Sequence, residues 1–222
     1  MLRLDNVTKT YPHRSSPVTG LNQVSLHIPK GQFVAVVGPS GSGKSTFLMT
    51  VGGMLSPTSG SVTIGGQDIY AMPLADRAAV RLNTIGFVFQ TFNLIPYLTA
   101  LQNVMAPLML AKLPAAEQER RATALLERVG LGQRLDHKPR ELSVGQQQRV
   151  ALARMLANDP PLILADEPTG NLDPKTVEEV MHFLTMFNRD EGRTIVMVTH
   201  SPEAAKMASR VLLCQEGAIS EA

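Results

Sequence analysis

Strands that alternate with helices predict an α/β fold: a mostly parallel sheet core, antiparallel strands at the N-terminus and an inserted α-helical segment. Three observations carry this reading. Short apolar runs, FVAVV (33–37), PLILAD (161–166) and TIVMVTH (194–200), have the texture of strands buried on both faces. Helical stretches follow them, as parallel strands require. From about Thr91 to Asp159 the pattern turns helical, which places a helical insert between two halves of one strand-bearing core.

The elements follow in order. LRLDNV (2–7) and VSLHI (24–28) alternate apolar and polar residues and are predicted strands. FVAVV runs directly into GPSGSGKST (38–46), after which FLMTVGGML (47–55) continues as a helix. SVTI (61–64) and IGFVF (85–89) are further strands. Within the helical insert, Ala122, Leu125, Leu126 and Val129 recur at the spacing of one helix face, and Gly130 closes it. RVALARMLA (149–157) is apolar nearly all round and is predicted to be a buried helix. After PLILAD, Asp173 and Pro174 supply an N-cap and a proline at the first helical position. Val177, Val180, Met181 and Leu184 mark that helix's core face. SPEAAKMA (201–208) is a short helix and RVLLC (210–214) a last strand. The chain therefore divides into a core subdomain, 1–90 and 159–222, and a helical subdomain, 91–158, of one domain.

Composition narrows the function. A formal net charge of +2 over 222 residues argues against a protein that works on nucleic acid. The one cysteine, Cys214, excludes an internal disulfide and fits a reducing compartment. No stretch approaches the roughly 18 apolar residues that span a bilayer, and the N-terminus does not read as a signal peptide. A cytosolic protein is expected. Work at a membrane would need another chain to carry the spans.

Gly38, Gly43, Lys44 and Ser45 satisfy G-x-x-x-x-G-K-[ST], between an apolar strand and a helix. Glycines let backbone N–H groups turn inward at a helix start that already favours anions. Lys44 supplies a charge for the outer phosphates, and the Ser45 hydroxyl is a ligand for Mg²⁺. Gly38, Ser40, Gly41, Gly43, Lys44, Ser45 and Thr46 form the predicted nucleotide-binding loop, and the fold is then that of a P-loop NTPase. LILADE places Asp166 and Glu167 at the carboxyl end of a strand, where ligands of open α/β sheets sit. Asp166 there can hold Mg²⁺ and Glu167 can take a proton from water; alternatively, both cap the following turn. In LSVGQQQR (142–149), Ser143 and Gln146 make a capping box, so a helix begins there. A helix start bearing Gly145 is also a second anion site, one more than a single nucleotide needs.

GPSGSGKST, Gln90, LSVGQQQR, LILADE, NLD and His200 occur in the order seen in ATP-binding cassette (ABC) ATPases, and the resemblance covers the whole chain. It implies an ATPase using ATP and Mg²⁺, in which two cassettes pack head to tail. Each ATP then lies between the phosphate loop of one and the signature turn of the other, here Ser143, Gly145 and Gln146. It further implies that Gln90 reaches Mg²⁺ and the attacking water, that His200 contacts the γ-phosphate, that Tyr11 stacks on adenine and that Asp173 links the two sites. Where most signatures read L-S-G-G-Q, this chain has Val144, which excludes the φ > 0 region open to glycine. Within the family, the chain most resembles the lipoprotein-releasing and macrolide-exporter ATPases, which serve separate membrane permeases. That implies a place on the inner face of the cell membrane. Phe92, Leu94, Ile95 and Leu98 read equally as a groove for a permease helix or as filling beneath the helical insert. A soluble cassette ATPase of DNA repair or translation, and a P-loop kinase, are the alternatives. The first would carry two linked cassettes or a long coiled-coil insertion. The second would put an acceptor site and lid where this chain has the signature turn.

Overall fold

A computed structural model describes residues 1–13, 16–170 and 172–222. Two sheets organise the chain. Strands β1 (Leu2–Tyr11) and β2 (Val18–Ile28) pair antiparallel. Strand β3 (Phe33–Val37) then feeds helix α1 (Lys44–Val51). The chain returns to the first sheet with β4 (Ser59–Ile64) and the two-residue β5 (Gln67–Asp68), giving the order β2-β1-β4-β5. Helix α2 (Leu74–Thr84) leads to β6 (Ile85–Phe89). Helices α3 (Ala100–Leu110), α4 (Ala115–Arg128) and α5 (Val144–Leu156) follow, with a 3₁₀ turn at Pro139–Glu141. The remaining elements are β7 (Leu162–Asp166), α6 (Pro174–Arg189), β8 (Thr194–Thr199), α7 (Pro202–Ala205), β9 (Arg210–Gln215) and β10 (Ala218–Glu221). The second sheet has the order β10-β9-β3-β8-β7-β6, parallel except for β10.

The strand periodicity sorts the core into two layers. Val34 and Val36 of β3, with Val196 and Val198 of β8, face Phe47, Leu48 and Val51 of α1 and the antiparallel sheet. Phe33, Ala35, Ile195 and Met197 point the other way, onto Leu152 and Met155 of α5 and Val180, Leu184 and Phe187 of α6. Both faces of the parallel sheet are covered, which is why these strands read as unbroken apolar runs. Helices α3 to α5 enclose a third cluster that includes Val104, Leu108, Leu126 and Val150.

Two local expectations change, and one helix is added. The helix after the phosphate loop ends at Val51, not Leu55. Gly53 takes a left-handed φ of 69°, and a Cβ at Gly52 would lie 2.2 Å from the Phe87 ring, so two glycines stop the helix against β6. Residues 91–99 form a loop, and the first helix of the insert begins at Ala100 behind a Thr99–Gln102 capping box. Helix α2 was not anticipated; none of its residues is fully buried.

Candidate nucleotide site

The phosphate loop crosses from the carboxyl end of β3 to α1. Gly43 occupies the N-cap with φ 110°, and no side chain caps the helix. The first N–H groups of α1 are thus left for a ligand. The glycines are required by space as well as by φ. A Cβ on Gly43 would lie 2.3 Å from the Gly20 carbonyl, and one on Gly38 would lie 2.1 Å from the Cys214 carbonyl. Lys44 is buried and donates to the carbonyls of Gly38 and Pro39, each at 2.8 Å, which folds its Nζ across the loop it serves.

At the end of β7, Asp166 and Glu167 stand side by side. Burial and the adjacent Glu167 raise the Asp166 pKa above the ordinary aspartate value, with Lys44 opposing. Crowding of two carboxylates in a partly desolvated site is the electrostatic setting that a bound cation relieves. Glu167 holds φ 47°, a left-handed conformation uncommon for any residue with a Cβ. Its Oε2 accepts from the His200 N–H at 3.2 Å and lies 2.8 Å from His200 Nδ1. Gln90, at the exit of β6, packs so closely on the Gly170 backbone that a Cβ there would lie 2.6 Å from Nε2.

These groups share one cavity of about 520 Å³. Of the predicted residues, Tyr11, Ser40, Gly41, Gly43, Lys44, Ser45, Thr46, Gln90, Asp166, Glu167 and His200 line it, while Gly38 shapes the loop behind it. Tyr11 also lies 3.2 Å, oxygen to oxygen, from the Thr46 hydroxyl. Val18, Thr19 and Gly20 line the cavity too and were missed. Gly20 had one available signal, a glycine inside an alternating strand, which marks close approach. A Cβ there would lie 2.8 Å from the Tyr11 ring.

Ser143, Gly145, Gln146 and Asp173 do not line this cavity. Ser143 caps α5: its Oγ accepts from the Gln146 N–H at 3.2 Å, and Gln146 Oε1 accepts from the Ser143 N–H at 2.9 Å. The Ser143 hydroxyl hydrogen stays available, and the N–H groups of Val144 and Gly145 have no intrahelical partner. Val144 is helical and 51% exposed, so the missing glycine freedom has no conformational consequence. Asp173 caps α6, accepting from the Thr176 N–H at 3.2 Å and the Thr176 hydroxyl at 2.6 Å. These bonds lower its pKa, the side-chain bond most. Asn171, within the NLD motif, lies outside the described residues.

A larger groove, about 740 Å³, lies between α2, β6, α3 and α5. Met54, Leu82, Phe87, Leu110 and Met155 give it apolar walls, and Arg81 and Arg154 are its cations. Phe92, Leu94, Ile95 and Leu98 are half-buried beside it and do not line it, and Leu94 packs on the α3–α5 cluster. Arg154 donates to the carbonyls of Phe92 and Asn93, each at 2.6 Å, and both residues have positive φ. Burial pulls its guanidinium below the ordinary value.

The comparisons agree with this geometry. The profile of the family described as "ABC transporter" matches residues 21–170. An uncharacterized ABC transporter ATP-binding protein of Thermotoga maritima is 48% identical over 99% of this chain and 93% of its own length. A macrolide export ATP-binding/permease protein MacB of Syntrophobacter fumaroxidans is 47% identical over 99% of this chain, which spans only 31% of that longer protein. Among solved structures, a dimeric post-hydrolysis state of the ATP-binding cassette MJ0796 bound to ADP and Pi superposes with TM-score 0.92. It is 43% identical and covers 100% of this chain and 98% of its own. MJ0796 is a protein of Methanocaldococcus jannaschii. A phosphate loop, paired carboxylates and histidine in one cavity, with a family match over most of the chain, lead to one conclusion: the chain belongs to the ABC transporter family and is one of its ATPase cassettes.

Proposed function

We propose that the cassette hydrolyses ATP as a head-to-tail dimer and drives a separate membrane permease of the lipoprotein-releasing or macrolide-exporting kind. The observation that carries this is a division of labour. One cavity gathers the phosphate loop, Gln90, Asp166, Glu167 and His200, while the second anion-favouring helix start, Ser143 to Gln146, lies outside it. A dimer puts each helix start onto the nucleotide held by the other copy.

In this reading Tyr11 stacks on adenine, and the N–H groups from Ser40 to Thr46 bind the phosphates with Lys44. Ser45, Gln90 and Asp166 would hold Mg²⁺: they offer oxygen donors with a single carboxylate, which suits an ion that takes its remaining ligands from phosphates and water. That ion would neutralise charge on the β and γ oxygens. Glu167 orients water and takes its proton, His200 fixes the Glu167 carboxylate and contacts the terminal phosphoryl group, and Asp173 links the two sites. Core 1–90 and 159–222 and helical 91–158 would move relative to each other as the dimer closes. The permease helix would seat in the apolar groove beside Phe92, Leu94, Ile95 and Leu98, whose loop continues from Gln90. The MacB relative joins an ATP-binding part and a permease in its printed name, which supports a permease partner here and a place at the inner face of the membrane. No helix among the described residues is long and apolar enough to cross a membrane.

The test is sedimentation of the Glu167→Gln variant with and without ATP and Mg²⁺. Dimer formed only with ATP supports the reading; a monomer at all nucleotide concentrations rejects it.

A further inference from the structure

Gln148 lies one turn into α5 and is fully buried. Its Nε2 donates to the Pro168 carbonyl at 2.8 Å. That bond sets the amide's orientation, since a carbonyl can only accept. Oε1 then faces away and has no partner among the described residues. The unpaired Oε1 is a cost to stability, so what the glutamine supplies here is its one bond, which also satisfies the buried Pro168 carbonyl.

That bond lands on the Pro168–Thr169 peptide, the second peptide after Glu167. The Glu167 turn is otherwise held by its own N–H, which donates to the Val198 carbonyl at 3.0 Å, and by Gly170, whose N–H donates to the Glu167 carbonyl at 3.0 Å. Pro168 has no N–H, so its carbonyl is its only hydrogen-bonding handle on the main chain. Gln148 takes that handle from the same rigid helix whose N-terminus carries Ser143 and Gly145. Gly145 in turn abuts Thr176, the residue bound by Asp173: a Cβ on Gly145 would lie 3.0 Å from the Thr176 hydroxyl.

We infer that Gln148 is a positioning residue: it ties the Glu167 turn to α5, so that the carboxylate is aligned on water when the partner's nucleotide engages the start of that helix. This rests on the roles proposed above for Glu167 and for Ser143 to Gly145. One nucleotide site would thereby sense the occupancy of the other through a link inside a single chain.

Gln148→Met keeps the side-chain length and removes both amide polar atoms. The expected result is a folded protein whose unfolding midpoint falls only by what the unpaired Pro168 carbonyl costs, with ATP affinity within about two-fold and kcat lower by about 10²-fold. Placed on Glu167→Gln, it should add almost nothing, because groups that act as a unit do not add. A kcat within about two-fold of normal overturns the inference, as does a loss that multiplies with that of Glu167→Gln. Gln148→Leu repeats the test if the methionine variant does not fold; failure of both to fold makes the residue structural and also overturns it. Glu167→Gln alone separates the two layers. Normal turnover in that variant removes the proposed role of Glu167, whereas slow turnover there with normal turnover in Gln148→Met removes only the role of Gln148.

Discussion

In the proposed reading Glu167 is the residue on which the chemistry turns, and its surroundings suit a carboxylate that acts on water. The left-handed backbone aims the side chain into the cavity, and two groups of His200 meet its Oε2, leaving Oε1 for a proton. Glu167→Gln keeps the shape and removes the base. Turnover should fall by about 10²–10⁴-fold with ATP binding retained, read by single-turnover hydrolysis and a binding isotherm. His200→Ala removes the Nδ1 contact while the backbone N–H bond to Glu167 stays, and it should lower hydrolysis by about 10²-fold, again with a smaller change in ATP affinity. Equal losses in rate and affinity would make His200 a binding group only. At this scale the phosphate loop and the Asp166–Glu167 pair were legible as contiguous motifs, whereas Tyr11, Gln90 and His200, which line the same cavity, were expected only through the family resemblance. Val18 and Thr19 were not legible, and Gly20 offered only the signal of a glycine within a strand. They reach the cavity only because β2 runs beside the phosphate loop, a proximity that tertiary structure creates.

Helix α5 is the element that joins the parts. Its start is a capping box, its second turn bears Gln148 on the Glu167 loop, and its last turn bears Arg154 on the loop after Gln90. Ser143→Ala should cost about 0.5–2 kcal/mol of stability through the lost cap, measured by urea unfolding. It should also lower the turnover of the dimer while leaving ATP binding to the isolated chain unchanged. A variant that unfolds more easily yet turns over normally would leave Ser143 with a capping role alone. The capping box and the buried texture of α5 were both readable in advance, since each is a local pattern. Its contacts with Pro168, Phe92 and Asn93 were not, since they lie 20 residues or more away in the chain. The groove's own walls were not legible for the same reason: Met54, Leu82, Leu110 and Met155 come from four separate segments.

Across the whole molecule, the joint between the helical insert and the core is partly ionic. Arg128 of α4 pairs with Glu191, which also meets Arg193 at 2.8 Å, and Arg193 reaches Asp159 at 2.5 Å. Burial pushes the Glu191 pKa up, but the two arginines outweigh it and hold the carboxyl below its ordinary value. A depressed carboxylate stabilises the fold at pH above its unfolded value and loses that contribution as pH falls through the folded value. Melting midpoints should therefore drop on acidification, and Glu191→Gln should lessen the drop while lowering the midpoint at neutral pH. An unchanged acid limb would show that this joint does not depend on the charge. The α/β architecture was legible from the alternation of strand and helix texture. The separation into two sheets was not, because an alternating strand does not declare which sheet it joins.

Two copies should be needed for every turnover. The direct measurement is ATP hydrolysis per chain across a wide range of protein concentration, at saturating ATP and Mg²⁺, with the oligomeric state followed in parallel. The account predicts a rate per chain that rises with concentration in step with the dimer fraction and vanishes where only monomer remains. A rate per chain that is constant down to fully monomeric protein would contradict it.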